Sequence, residues 1–518
     1  MQKRNEANAL PAKRDYQQAT HKLCVQIGGT TVEKNKKRII NLIIGVLLLF
    51  IVGVAVPTWG PVTRLGVQAI SIFIGLVYLA VTGFSFVFAG TIAMFAMQLT
   101  GFFTGSSIIA QSWGGSTIYQ LILVYALCQG LVECGAGDVI ARYLISRKWA
   151  QGKPLAFTFM LLMASIFAGA FLGLGGIVFY YSILDEIRKN LQYEENSEWM
   201  KYNVFGVYVA ACIGMSLIPY KGIPLIVFSS LNAMLVQYGL ELNLVTYMLG
   251  IAVFGVLASI VYCLLLKYVF RVDMSRLSNF DIRKMEGMAD VRMNKHQAIV
   301  SIIFAISILY GVAIVFIPKS TEFYTFFSGI TQTTWFAVCL GILCAIQVDG
   351  KPAINPRTAL KNGVSWEILF SIAAFSLIGS MVSSADTGIQ AWIHDVFGGV
   401  LGSMSYPVFF LVIMVVALIL TNLMSNVAIG IMVSTIAVPF LAVFAADSGI
   451  NITMFTAGLM MADMYAFATP AACGAAPLLF GQECIKNDTK FLYTKGAVVC
   501  VVHLLLLWGM FTIASYIF

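Results

Sequence analysis

Charged residues are scarce in this sequence, and long hydrophobic runs take their place. Asp, Glu, Lys and Arg together make up 11% of the 518 residues, whereas hydrophobic residues make up 59% and the mean hydropathy is +0.87. This composition excludes a water-soluble globular protein and predicts a polytopic α-helical membrane protein. The runs lack the period-two alternation of outer-membrane strands, so a β-barrel is not expected.

Motifs for metal binding, disulfide bonding and enzymatic chemistry are also absent. The ten cysteines form no Cys-x-x-Cys pair and the four histidines do not cluster. The cysteines are therefore predicted to be small core residues rather than disulfides or transition-metal ligands. The sequence contains no nucleophile elbow, zinc motif or phosphate-binding loop. An enzyme, a bound cofactor and ATP-driven pumping by this chain alone are not expected.

The sequence divides into a basic tail and two hydrophobic halves. Residues 1–38 carry nine basic and three acidic side chains. This charge predicts a cytoplasmic amino terminus beside an anionic leaflet and no nucleic-acid partner. Residues 39–269 and 298–518 are predicted to be two transmembrane repeats, and the hydrophilic loop 270–297 connects them. The predicted location is the cell membrane, which the chain crosses several times.

A polar interruption divides the hydrophobic stretch 411–440. Its two apolar arms, 411–420 and 427–440, are predicted to be too short to cross a hydrocarbon layer of roughly 30 Å alone. Between them lie four polar residues, Thr421, Asn422, Ser425 and Asn426. Either the helix is broken here and lines a cavity or binding site, or polar residues kink it by bonding neighbouring helices.

Similar interruptions recur in both halves at a nearly constant spacing. Three pairs are separated by 252 or 253 residues: Gly135 and Gly388, Gly173 and Ser425, Lys221 and Cys473. The spacing indicates an internal duplication and predicts two inverted repeats, with chance agreement of glycine-rich breaks as the alternative. Each repeat is expected to contain a re-entrant hairpin, at about 117–145 and 365–397, and a broken transmembrane helix.

Four segments carry a resemblance to a known family: LILVYALCQGLVECGAGDVIARYLISRK, VSWEILFSIAAFSLIGSMVSSADTGIQAWI, TNLMSNVAIGIMVSTIAVP and MYAFATPAACGAAPLLFG. The first two resemble the re-entrant hairpins of the divalent anion:sodium symporter family, whose members transport dicarboxylates, citrate or sulfate. The third resembles its second Ser-Asn-Thr signature, and the fourth resembles the Pro/Thr-rich break that follows. The likeness covers roughly residues 65–518.

In that family, a Ser-Asn-Thr tip and a later break in each repeat bind one sodium ion per repeat and a substrate carboxylate. The resemblance implies that the substrate is bound by Asn426, Ser425, Gly173, Lys221, Cys473 and Gly474. It implies that Na⁺ is bound by Asn422, Ser425, Asn426, Ala471 and Cys473. The chain departs from the pattern, because Val427 replaces the threonine and Gly173-Leu174-Gly175 replaces the first signature. Half of the side-chain oxygens that the family pattern would place at the two sites are therefore missing from this sequence.

Lys221 is a basic residue flanked by Pro219 and Pro224 between apolar arms. A lysine at membrane depth is costly unless it is paired or faces water. Its place in the repeat matches the first sodium site, so its ammonium group is predicted to replace that ion and offset an anionic substrate. The alternative is that the break lies near the interface and the side chain snorkels to water.

Three acidic residues occupy breaks or apolar spans. Glu133 and Asp386 lie at the predicted hairpin tips, where we expect them to cap the following helix rather than to couple ions. Asp463 lies inside an apolar span. We expect it either to couple transport to protons or to form a buried pair.

Together these features predict secondary active transport of a small anion, a di- or tricarboxylate or sulfate, coupled to Na⁺ through at least the second repeat. The alternatives are sodium-independent or proton-coupled anion exchange and a passive anion channel. The sequence shows no repeated ring of pore charges of the kind that is typical of a channel. The expected partners are the small anionic substrate and the lipid bilayer, and a homodimer is left open.

Overall fold

The computed structural model describes residues 31–218, 222–236, 238–284, 291–317, 321–423, 426–470 and 472–517. Helices make up 79% of the structure, which confirms the predicted all-α class. Within the described ranges, the strands are β1 (Gln347–Val348) and β2 (Lys351–Pro352), which form one antiparallel hairpin.

The first half begins with α1 (Thr31–Leu47), which continues through a π-helical turn, Leu48–Val52, into Gly53–Ala55. The helices that follow are α2 (Arg64–Val81), α3 (Phe86–Leu99), α4 (Gly105–Gln111), α5 (Ser116–Glu133), α6 (Ala136–Ile145), α7 (Pro154–Leu172), α8 (Leu174–Asn190), α9 (Glu198–Leu217), α10 (Gly222–Val236) and α11 (Leu244–Leu264). A second π-helical turn, Leu265–Val269, extends α11.

The second half follows two short 3₁₀ turns, Ser275–Asn279 and Ile282–Lys284. Its helices are α12 (Lys295–Phe316), α13 (Glu322–Gly329), α14 (Gln332–Ala345), α15 (Pro356–Gly363), α16 (Trp366–Ser383), α17 (Ile389–Leu401), α18 (Tyr406–Thr421), α19 (Asn426–Ser448), α20 (Ile452–Met464), α21 (Ala476–Phe480), α22 (Glu483–Lys486) and α23 (Ala497–Ile517). A π-helical turn, Leu492–Gly496, leads into α23.

Several helices have the length and composition of membrane spans. In the described part of the chain there are six: Lys36–Ala55, Pro154–Leu172, Glu198–Leu217, Leu244–Val269, Asn426–Ser448 and Leu492–Ile517. The pair of α17 and α18, which is bent by 109°, adds a seventh if it forms one span. The chain is therefore a helical membrane-embedded protein, as the composition predicts.

The second arm of the central stretch is longer than predicted. The helix α19 has 23 residues and passes through Pro439. The prediction that 427–440 is too short to cross a membrane is therefore wrong. A proline inside a helix removes one hydrogen bond, but the residues after Pro439 are mostly alanine and other apolar residues that continue the helix. By contrast, α18 has only 16 residues.

Left-handed glycines mark the predicted hairpin tips. Gly135, between α5 and α6, has a φ angle of 70°, and Gly388, between α16 and α17, has a φ angle of 66°. A residue with a side chain is disfavoured in this conformation, so glycine allows the chain to turn at both positions. The matching geometry agrees with a duplication, while the re-entrant path of the hairpins and the inversion of the repeats stay predictions.

The prediction that Glu133 and Asp386 cap the following helices is wrong. The N-cap positions of α6 and α17 are occupied by Gly135 and Gly388, and neither helix has a side-chain cap. Instead, the Glu133 carboxylate accepts a hydrogen bond from the Thr358 hydroxyl of α15 at 3.1 Å. The acid at the first tip therefore joins two helices that are distant in the sequence.

Small residues allow α7 and α9 to pack closely. A Cβ atom added at Gly214 of α9 would lie 1.9 Å from the carbonyl oxygen of Ile166. One added at Gly169 of α7 would lie 2.3 Å from the carbonyl oxygen of Ala211. Close backbone packing of this kind drives helix association in lipid, where the hydrophobic effect between helices is lost. It holds the end of α7, where the first broken span is interrupted, against the core.

The two halves interleave. The helix α16 packs between α3 and α10, and α10 also packs on α19. At the start of α16, the Glu367 carboxylate accepts the Phe86 N–H at 2.6 Å and so caps α3. Beyond its end, the hydroxyl of Thr63, the N-cap of α2, donates to the Asp386 carbonyl oxygen at 2.7 Å. The Thr63 N–H donates to the Thr387 carbonyl oxygen at 3.0 Å, so the first half closes around α16.

Candidate functional site

Residues 465–470 follow α20 without helical structure, and Asn422 holds this segment in place. Its Oδ1 accepts the N–H groups of Phe467 at 2.9 Å and Ala468 at 2.8 Å. Its Nδ2 donates to the carbonyl oxygen of Tyr465 at 3.0 Å. Both acceptor positions of Oδ1 are used, so Asn422 stabilises unwound backbone by bonding a neighbouring segment. That it also binds Na⁺ stays a prediction.

Two side chains converge on one backbone carbonyl at the end of α20. Thr421 Oγ1 donates to the carbonyl oxygen of Asp463 at 2.8 Å, and Asn426 Nδ2 donates to the same oxygen at 2.9 Å. Thr421 ends α18 and Asn426 begins α19, so both sides of the central break attach to α20. Asp463 and Thr421 are 0% exposed and Asn426 is 1% exposed, which puts the break in the protein core.

Three buried oxygen atoms at this break have no hydrogen-bond partner among the described residues. They are Asn426 Oδ1 and the two carboxylate oxygens of Asp463. An unpaired buried polar group costs about 1–3 kcal/mol, and more when it is charged. Acidic residues at membrane depth are rare for this reason and often mark ion or substrate paths. The sequence indicated Asp463 but could not show that Thr421 and Asn426 are its neighbours.

Cys473 lies beside the first half of the protein. Its Sγ is 3.3 Å from the Tyr208 hydroxyl of α9 and 3.4 Å from the Ala466 carbonyl oxygen. The Tyr208 hydroxyl donates to that same carbonyl oxygen at 2.6 Å. At Gly474, an added Cβ would meet no described atom within 4 Å. The helix α9 also packs on α7, which ends at Leu172 directly before Gly173. Cys473 and Gly173, which are predicted site residues of the two repeats, therefore share a neighbouring helix.

Gly173 separates α7 from α8, with φ 58° and ψ −129°. Glycine is almost the only residue that adopts this conformation. A Cβ added there would meet no described atom within 4 Å, so the break faces open space. The first N–H groups of α8 follow directly, and such groups attract anions. Gly173, Gly175 and Gly176 have no side-chain donors or acceptors, so at this break they offer backbone groups only.

Three predicted site residues, Lys221, Ser425 and Ala471, lie outside the described ranges. That Lys221 replaces a sodium ion stays a prediction, as does its alternative, a side chain that snorkels to the interface. Ligand binding by Ser425 and Ala471 also stays a prediction. The described residues of the site are therefore Asn422, Asn426, Gly173, Cys473 and Gly474.

A polar cavity of about 500 Å³ lies among α4, α5, α10 and α16. Its polar lining consists of Gln111, Gln120, Ser229, Asn232, Glu241, Ser376 and Ser380. Ser229 is 3% exposed, and its Oγ has no partner among the described residues. The described lining contains an acid and no base, which suits water or neutral groups better than an anion. This cavity is not apparent in the sequence, because its polar residues come from distant helices.

A buried pair also joins the unwound segment to the last helix. The Tyr465 hydroxyl lies 2.8 Å from His503 Nδ1, and both residues are buried. This pair was missed in the sequence, where the only signal is a histidine within the apolar terminal span. It anchors the same segment that Asn422 binds.

Comparisons with protein-family models and with curated proteins returned no match. The resemblance to the divalent anion:sodium symporter family therefore rests on the four sequence segments that carry it. What the structure adds is the geometry around the central break, where buried polar groups of three helices meet.

Proposed function

We propose that this protein is a secondary active transporter of a small anion, coupled to Na⁺ through the site at the central break. The observation that carries the proposal is the set of unpaired buried oxygens on Asn426 and Asp463. In an apolar helical protein, such groups persist where they bind a ligand or ion. Broken helices beside unwound backbone are a common way for secondary transporters to build such sites.

The substrate in this proposal is a di- or tricarboxylate or sulfate. Its support is the sequence resemblance, together with the open space beside Gly173 and Gly474. Backbone N–H groups at the start of α8, the side chain of Asn426 and the ammonium group of Lys221 would bind the anion. The N–H groups and the ammonium carry positive charge that complements a carboxylate or sulfate.

Sodium-independent or proton-coupled exchange is the second candidate. It is favoured by the first break, which offers glycines where the family has Ser-Asn-Thr. A site that lacks side-chain oxygens there would bind fewer sodium ions than a two-site symporter, so coupling would rest on the second repeat alone or on counter-substrate. We further propose a location in the cell membrane with the basic tail in the cytoplasm, because anionic lipids attract that tail.

The test is uptake by purified protein in liposomes, with labelled succinate, citrate or sulfate. An inward sodium gradient, a pH gradient or internal unlabelled substrate is supplied as the only driving force in separate samples. Accumulation above equilibrium with the sodium gradient supports symport, and accumulation only with internal substrate supports exchange. If all three anions merely equilibrate under every driving force, the protein is not an active transporter of this class.

A further inference from the structure

An apolar crevice opens at the surface of α12. It has a volume of about 400 Å³ and is lined by residues of α5, α6, α7, α9, α11 and α12. Apart from Ser301, every side chain that lines it in the described part of the chain is hydrophobic. Leu309 belongs to the lining and is 58% exposed, so the crevice reaches the outside of the fold. Cavities of this size are typical of ligand sites.

The helix surfaces on either side of the opening are apolar. Residues 244–266, which include α11, and residues 298–316 of α12 contain no charged side chain. Large hydrophobic side chains are nevertheless exposed on both helices, namely Val253, Val256, Ile260, Ile302 and Ile306. Exposed apolar surface of this extent is stable in hydrocarbon and not in water. An occupant of the crevice therefore enters from the lipid bilayer.

The helix α6 leads from this crevice to a positive charge. Ile140 lines the crevice, and Tyr143, three residues later, lies on the same face of the helix. The Arg147 guanidinium lies over the Tyr143 ring, 3.3 Å from its centroid, and Arg147 Nε donates to the Tyr143 carbonyl oxygen at 3.1 Å. Among the described residues, none accepts a hydrogen bond from the two terminal nitrogens of Arg147. A positive charge is therefore held about one to two helical turns from the crevice.

The surroundings of Arg147 are typical of a membrane interface. Residues 139–153 contain no acidic residue and four basic ones, Arg142, Arg147, Lys148 and Lys153. Tyr143 is 44% exposed and Trp149 is 52% exposed. Aromatic residues concentrate at the level of the lipid headgroups, and basic residues there attract anionic lipids. The basic end of α6 and the apolar crevice thus match the two parts of an anionic lipid.

We propose that the crevice binds an anionic phospholipid, with one acyl chain in the crevice and the phosphate group at Arg147. The guanidinium offers paired N–H donors that fit phosphate oxygens. The acyl chain would reach the first break, because Phe171, two residues before Gly173, and Leu217, the last residue of α9, both line the crevice. An empty apolar void beside these helix ends is unfavourable. The bound chain therefore stabilises the fold.

The test uses the purified full chain, freed of lipid in detergent and supplied with phosphatidylglycerol or with phosphatidylcholine that carries the same acyl chains. Native mass spectrometry counts the bound lipids, and the thermal unfolding midpoint is measured with each. Ala305→Trp fills the crevice, and Ala313→Trp, exposed on α12 outside the lining, is the matched control. Arg147→Gln removes the charge and Arg147→Lys retains it. Arg357→Gln, at the exposed start of α15, is the control for loss of an arginine.

A second measurement needs no variant. Phosphatidylglycerol with a photoactivatable group in its acyl chain is crosslinked to the wild-type protein, and the labelled residues are mapped by peptide mass spectrometry. The labels should lie on the stretches of α11 and α12 that line the crevice. Excess unlabelled phosphatidylglycerol should suppress them more strongly than the same amount of phosphatidylcholine. This result decides the proposal even if Ala305→Trp does not fold.

Wild type should retain phosphatidylglycerol and unfold at a higher temperature when it is bound. The half-saturating concentration should be about fivefold lower for phosphatidylglycerol than for phosphatidylcholine, the contribution expected of one basic residue beside an anionic headgroup. Arg147→Gln should lose this preference, while Arg147→Lys and Arg357→Gln should keep it. Ala305→Trp should lose the stabilisation by lipid, while Ala313→Trp should keep it.

Four results would overturn the lipid site. They are equal affinity of the wild type for the two lipids, undiminished stabilisation by lipid in a folded Ala305→Trp protein, an unchanged preference in Arg147→Gln, and crosslinks that lie away from the crevice. If Ala305→Trp instead converts a dimer into monomers, the crevice is an interface between two copies and the lipid site is refuted. None of these measurements involves transport, so the lipid site and the proposed function can fail independently.

Discussion

The Asn422 side chain is fully hydrogen-bonded, whereas Asn426, four residues later and on the other side of the same break, leaves its Oδ1 without a partner in the described part of the chain. The first asparagine binds the unwound backbone after α20. The second binds the end of α20 through Nδ2 only. Replacing the two residues should therefore have different consequences, although the sequence presents both as polar residues in one apolar stretch.

Replacing Asn426 by alanine should weaken ligand binding. The change removes the unpaired Oδ1 acceptor of the proposed site and the Nδ2 donor that bonds the Asp463 carbonyl oxygen. The expected loss is about 1–3 kcal/mol, or roughly 5- to 150-fold in affinity. Uptake measured at limiting substrate and limiting Na⁺ should fall accordingly. Asn487→Ala, on the exposed turn after α22, is the control and should transport normally. Normal transport by Asn426→Ala would reduce Asn426 to a structural contact.

Replacing Asn422 by alanine should destabilise the protein at every sodium concentration. The N–H groups of Phe467 and Ala468 would lose their acceptor, and each unpaired buried N–H costs about 1–3 kcal/mol. The measurement is the thermal unfolding midpoint in detergent with NaCl or choline chloride. A drop that NaCl fully reverses would instead favour a direct role of Asn422 in sodium binding.

Replacing Lys221 by methionine should weaken anion binding, if the ammonium group replaces the first sodium ion. Methionine keeps an apolar side chain of similar length but removes the charge, and Lys221→Arg keeps the charge with a different shape. We expect Lys221→Met to raise the substrate concentration for half-maximal uptake, and Lys221→Arg to retain part of the function. Normal transport by Lys221→Met, with unchanged sodium dependence, would favour the snorkelling alternative.

Replacing Gly388 by alanine should destabilise the protein strongly. An added Cβ would lie 1.9 Å from the Pro61 carbonyl oxygen, and the φ angle is 66°. The left-handed conformation alone costs about 1–2 kcal/mol for a residue with a side chain, and the steric overlap adds to this. Gly399→Ala, in α17 with open space around it, is the matched control. We expect it to leave the unfolding midpoint unchanged or slightly higher.

The Lys201–Asp488 ion pair should make a small contribution to stability that depends on pH. The Lys201 ammonium lies 2.7 Å from the Asp488 carboxylate, and its hydrogen bond lowers the pKa of that carboxyl below the usual 3.8. A lowered pKa means that the contribution is present above the unfolded value and disappears as pH falls through the folded value. The Asp488 side chain is 39% exposed, so we expect at most about 1 kcal/mol.

Asp488→Asn tests this dependence. The difference in unfolding midpoint between wild type and Asp488→Asn should be measurable at about neutral pH and should vanish in acid, once the wild-type carboxyl is protonated. Asp447→Asn is the control for general charge effects. A difference that persists unchanged into acid would show that packing, and not the ion pair, accounts for the effect.

The sequence predicted local features correctly where the backbone conformation depends on residues that are close together in the chain. Glycines at 135, 173 and 388 predicted breaks that the structure contains, because a left-handed conformation selects glycine locally. The length of α19 was underestimated, because the apolar arm was predicted to end at residue 440 whereas the helix continues to Ser448. Capping was predicted for Glu133 and Asp386, although Gly135 and Gly388, each two residues later, occupy the cap positions.

Contacts between distant parts of the chain could not be predicted in this way. The bond of Asn426 to Asp463 spans 37 residues, and the contact of Tyr208 with Cys473 spans 265. Both depend on how helices pack, which hydropathy does not encode. The polar cavity beside Ser229 was missed for the same reason. For the site, the sequence therefore identified candidate residues, and the structure showed which of the described candidates are neighbours.

The hydrogen bond between Thr63 and Asp386 has a consequence for the biosynthesis of this protein. The two residues are 323 positions apart. At about 5–20 residues per second, a ribosome needs about 16–65 s to travel from one to the other. The Glu367 carboxylate that caps α3 is also made long after Phe86, 281 positions earlier. The amino-terminal helices thus leave the ribosome well before their final partners exist, and translation of the later helices completes the docking of the earlier ones.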